Sequence, residues 1–162
     1  MKRLLLLPYL FAGTSAFAHL APTTTAPLHA HLLEVNAEWR SHTSPLLHEA
    51  ASFGTDVERI AQHLHLVHDH LATHSPAGLS AQQTTERTRA LAVLERYAEQ
   101  ARFPRNYILP YRNPIFIDRH GTACAVGHLM IESGHRALAE RIDAEMELAY
   151  IREIDIPEVA QW

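Results

Sequence analysis

Lysine is almost missing from this chain: Lys2 is the only one in 162 residues. Chemistry that needs a lysine amine, Schiff-base formation included, is therefore excluded once the first residues are removed. Cysteine is as scarce. With Cys124 alone there is no internal disulfide, and stability must come from packing, a bound ligand or self-association. Long apolar runs are absent too. The stretch from Leu4 to Phe11 is broken by Pro8 and falls short of the roughly 20 residues a membrane span needs. There is no Gly-rich phosphate loop, no GxSxG elbow, no HExxH helix and no carboxylate pair spaced as acid and base. The sequence thus assembles no ready catalytic set, and an enzyme is not the leading expectation.

The first residues, MKRLLLLPYLFAGTSAFAHLAP, combine a basic start, a short apolar stretch and Ala16-Phe17-Ala18, a small-x-small pattern of the kind signal peptidase cuts after. The expectation is a cleaved signal over residues 1–18 and a mature, soluble protein in the periplasm or outside the cell. Beyond the cut the chain carries 12 arginines against 18 acids, a formal charge of −6. That balance argues against nucleic acid as a partner. No later stretch is apolar enough to embed in a membrane; the sequence points to no particular protein partner.

After the cut, residues 19–30 are rich in Pro and Thr and read as a flexible arm, leaving 31–162 as one domain. The patterns predict a mainly α fold: a single-domain helical bundle with an extended Pro/aromatic segment and at most a short strand or hairpin. Leu28, Leu32, Val35 and Trp39 share a helical stripe. Pro45 suits the first turn of a short helical piece. Thr55-Asp-Val-Glu58 and Ser80-Ala-Gln-Gln83 are capping boxes that open two long helices. FPRNYILPYRNPIFID, with three prolines, reads as extended chain, Ile115–Ile117 being a possible strand. Thr122 is a candidate cap for the next helix, Gly134 closes it, and a further helix carries Leu138, Ile142 and Met146.

Residues 62–74 read QHLHLVHDHLATH. Ile60, Leu64, Val67 and Leu71 form the buried stripe, with His63, His70 and His74 along its edge and His65 and His68 turned further towards solvent. His70 and His74, four apart, have the spacing at which two imidazoles on one helix grip a single ion, and His65 and His68 could do so less well. Zinc or copper needs at least one more ligand, for which Asp69, His29 and His31 are candidates, and nickel suits the same donors. The plainer reading is that histidine fills polar helix positions in a chain without lysine. Cleavage after Ala18 would leave His19 at the N-terminus, where its amine and ring could hold copper, although a loose arm is a poor clamp.

Residues 114–142, PIFIDRHGTACAVGHLMIESGHRALAERI, form the most motif-like stretch. The segment resembles one found in uncharacterised exported bacterial proteins, in which Pro-x-Phe-Ile/Val-Asp precedes Gly-Thr-x-Cys-Ala-Val-Gly and a Ser-Gly turn. The likeness covers about the last 60 residues; the relatives often carry tyrosine at the position of His128. No activity attaches to that group, so the resemblance implies a grouping and no function. Physically, Cys124 near a helix start with His128 one turn on is the minimum for a thiol nucleophile or redox sensor. Yet Ala123, Ala125, Val126, Leu129, Met130 and Ile131 surround that helix, which favours a core cysteine. Tyr107, Tyr111, Arg105 and Arg112 alternate with prolines and could serve a non-catalytic envelope interaction module as its contact face, or could simply wrap the core.

Overall fold

The computed structural model describes residues 20–162, so the expected signal and His19 lie outside the described residues. Within them the protein is mainly α, with six α-helices and one two-stranded antiparallel ladder. Ala26–Pro27 (β1) pairs with Ala50–Ala51 (β2). Leu28 N donates to Glu49 O at 2.8 Å and Phe53 N to Pro22 O at 3.0 Å. The segment expected to be a mobile arm is therefore tied to the domain, which begins before residue 31.

Helix α1 (Leu28–Val35) buries Leu28 and Leu32 as the stripe predicts, but it stops four residues short of Trp39. Asn36 stops it. Its backbone is extended, its buried side chain accepts from Glu38 N at 3.0 Å, and a 3-10 turn over Ala37–Ser41 follows. An Asx side chain that offers the chain a local turn competes with helix continuation in this way. A second 3-10 turn, Pro45–His48, starts on the proline.

Helix α2 (Asp56–Thr73) opens on Thr55, whose hydroxyl accepts from Glu58 N. Glu58 returns its carboxylate to Gly54 N at 2.7 Å, one residue outside the expected box. Helix α3 (Ala81–Gln100) has the full reciprocal box on Ser80 and Gln83. These two long helices make the most extensive contact in the fold. Arg87 of α3 is buried and donates to the carbonyls of Leu71 and His74, capping the end of α2 where carbonyls lack helical partners.

The Pro/aromatic segment forms no strand. A single antiparallel bridge joins Ile117 to Ala123 across the turn Asp118–Gly121. The Asp118 carboxylate holds this turn, accepting from His120 N at 2.9 Å, Thr122 N at 3.0 Å and Arg105 N at 3.1 Å. Burial pushes its pKa up, but these backbone donors outweigh that and draw it below the ordinary value.

Helix α4 (Ala125–Glu132) is capped by Cys124 rather than by Thr122; the sulfur accepts from Gly127 N at 3.5 Å. Gly134, at φ 87°, ends it, with His135 N bonded back to Met130 O as in a Schellman turn. Helix α5 (Arg136–Met146) buries Ala139 and Ile142, and helix α6 (Pro157–Gln161) adds Val159. The main core joins α2, α3 and α4 with residues of α5 and α6, while Leu28, Leu32 and Leu47 form a satellite with Trp39, Phe53 and Leu66. No helix of the described residues is long and apolar enough to cross a membrane.

Candidate functional site

Ending α1 at Asn36 turns Trp39 back over α2, and His42 and His63 pack against that indole. Trp39 Nε1 donates to His63 Nδ1 at 2.9 Å, and the rings meet edge to face. His63 is 2 % exposed. Burial first, and then the Arg112 cation, push its pKa down to about 3. It is a neutral core residue, and the indole already occupies one of its nitrogens. His63, read from the sequence as a metal-ligand candidate along the edge of the stripe, therefore sits in the core.

His29 Nε2 faces the Trp39 carbonyl at 2.8 Å, and His31 Nε2 faces the Ala51 carbonyl at 3.0 Å. An imidazole facing a carbonyl must donate, so both rings join backbone elements. His65 and His68 are half-buried rather than turned to solvent, and His68 Nδ1 lies 3.2 Å from Asp69 Oδ1.

His70 and His74 do come together, and a third imidazole joins them. Their rings stack with centroids 4.3 Å apart at 17°. His42, from the chain after the first 3-10 turn, meets His70 edge-on at 5.4 Å and leans on Trp39 at 5.3 Å. These side chains line a cavity of about 400 Å³ whose other walls include Trp39, Leu46, Leu66 and Glu38. Partial burial, then the neighbouring His74 and His42, lower the pKa of His70. Neutral imidazole is the form that binds a metal. Stacked rings send their lone pairs out in parallel planes. Among the described residues no three His, Cys, Asp or Glu side chains converge as a formed metal centre. His42 had no signal in the sequence, because it lies 28 positions before His70 on an irregular segment.

The Cys124/His128 pair has a different surrounding. Cys124 is 5 % exposed, and burial pushes its thiol up to about 11, against the smaller pull of the Gly127 and Val126 N–H groups. A thiol so raised stays protonated and unreactive near neutral pH. His128 stacks on Tyr97 at 4.8 Å, and Tyr97 donates its hydroxyl to Ala123 O at 2.8 Å. Both residues of the pair are thereby built into the packing of α3 on α4.

Sequence reasoning also passed over a charge cluster built around a buried arginine. Arg59 is fully buried, donates to Leu20 O at 2.8 Å and lies 3.5 Å from Asp56, while Arg112 grips both Asp56 oxygens at 2.6 and 2.7 Å. The cluster fastens the Pro/aromatic segment to the start of α2. No family model, no curated protein and no solved structure matches this chain.

Proposed function

We propose that this is an exported helical protein that binds a late transition-metal ion, copper, zinc or nickel, at the mouth of the α2 cavity through His70, His74 and His42. The observation that carries the reading is the meeting of an i, i+4 histidine pair with a third imidazole from a separate segment. Three nitrogen donors meet the minimum for a tetrahedral site with one open position. Glu38, on the same cavity wall, is available as an oxygen donor. Binding swings the His74 ring out of the stack and gives up the contact of its Nδ1 with His70 O at 2.9 Å. That rearrangement suits reversible capture better than a permanent structural ion.

The test is metal content by mass spectrometry on untagged protein, followed by copper and zinc titration. Each of His42→Ala, His70→Ala and His74→Ala should weaken binding by more than about tenfold, about 1.4 kcal/mol, with unchanged melting. His65→Ala and His68→Ala should bind as the parent does. Equal losses across all five variants, or only millimolar affinity in the parent, would overturn the assignment.

A further inference from the structure

On a chain of net negative charge, residues 102–121 carry four arginines and a single acid, Asp118, whose buried carboxylate is taken up by backbone N–H groups. The same stretch holds most of the exposed large hydrophobic residues. Of the four large hydrophobic residues exposed among the described ones, three are Tyr107 at 46 %, Ile108 at 56 % and Tyr111 at 61 %. Exposed aromatic and aliphatic side chains set close together mark an interaction surface rather than scattered surface noise.

The loop presenting them is braced. Asn106 Oδ1 accepts from Ile108 N at 2.8 Å and Leu109 N at 2.9 Å, and its Nδ2 donates to Tyr111 O at 3.1 Å. Cations stand beside the tip. The Arg119 guanidinium lies 3.9 Å over the Tyr107 ring, His120 meets the same ring edge-on, and Arg105 is bonded through its backbone to Asp118.

We propose that this loop docks the protein on an anionic lipid surface, with Ile108 and Tyr111 entering the interface and Arg105 and Arg119 at the phosphates. Isoleucine, tyrosine and arginine side by side reproduce the order of a bilayer margin: acyl boundary, headgroup level, phosphate. Charge complementarity favours the anionic surface, because this cationic loop is the stretch of a net-acidic chain that such a surface would attract. A glycan is a poorer fit, since Arg119 already covers one face of Tyr107 and Ile108 offers no flat ring. The inference stands apart from the metal reading and uses none of its residues.

Vesicle co-sedimentation of the purified protein tests it, above about pH 7.5, where ordinary histidines are neutral. Phosphatidylcholine vesicles with and without phosphatidylglycerol are the probes. Binding is expected only with phosphatidylglycerol, and in about 1 M salt, where screening acts within about 3 Å, it should disappear. Arg105→Gln and Arg119→Gln should each weaken it about fivefold, the equivalent of about 1 kcal/mol per cation. Ile108→Ser combined with Tyr111→Ser should weaken it at least as much, with melting unchanged because these side chains are exposed. Equal binding to both vesicle types, no binding, or binding indifferent to the loop variants would overturn the proposal. So would loop-dependent capture of polyglutamate in preference to the vesicles, which would assign the face to an acidic protein.

Discussion

Lowering the pH from about 7 to about 5 in an equilibrium unfolding experiment should expose what the fold spends on keeping His63 neutral. In the unfolded chain this imidazole takes up a proton near its ordinary pKa of 6.5; in the folded protein burial holds it off until about 3. Between those values the unfolded state binds more protons than the native one, so stability rises with pH and falls on acidification. The stability is complete above about pH 6.5 and is lost progressively down to about 3. Each pH unit in that window removes about 1.4 kcal/mol, so by pH 5 the loss from this one group is about 2 kcal/mol. That is a large share of the 5–15 kcal/mol typical of a domain. Urea melts at several pH values, on the parent and on His63→Gln, separate this group from the other acids and histidines. Glutamine keeps an acceptor for the Trp39 indole but does not titrate. The variant should start less stable at pH 7 and then lose about 2 kcal/mol less than the parent on going to pH 5. Parallel pH profiles for the two proteins would refute the reasoning.

Two further outcomes concern the α4 region. A Cβ at Gly127 would stand 3.1 Å from Phe116 Cε1 and 3.3 Å from the Ala123 methyl, so Gly127→Ala should cost about 1–2 kcal/mol in thermal or urea unfolding despite alanine's better helix propensity; a stabilised variant would show that Phe116 can yield. Cys124 should react with a maleimide no faster than the protein unfolds, and rapid labelling under native conditions would reopen the thiol reading.

Local chemistry was legible wherever one or two residues decide the outcome. Thr55, Ser80, Pro45 and Gly134 each mark a helix end or start where the structure has one, because capping and turn preferences need no distant partner. Asn36 shows the limit. The stripe Leu28, Leu32, Val35, Trp39 is a sound helical pattern, yet a buried Asx turn ended it and sent Trp39 to another partner. The candidate cluster was legible in half: spacing paired His70 with His74, but His42 joins them through tertiary structure that no period encodes. His63 shared the edge of the same face and was read as a ligand candidate; only the placement of Trp39 made it a core acceptor. Cys124 was the reverse case, since an apolar helix on all sides already favoured burial.

The Trp39–His63 hydrogen bond also gives the molecule a built-in optical gauge. Only two tryptophans are present, and they occupy distinct positions. Trp162 donates its indole N–H to Ser133 Oγ at 2.9 Å, clasping the chain end to the close of α4, whereas Trp39 forms a wall of the cavity and touches His42 and His63. Emission from Trp39 will respond when anything enters that cavity or when His63 gains its proton, and emission from Trp162 will follow the release of the C-terminal clasp. With Trp39→Phe and Trp162→Phe as subtraction partners, occupancy of the cavity and opening at the chain end can be followed separately, without an attached dye.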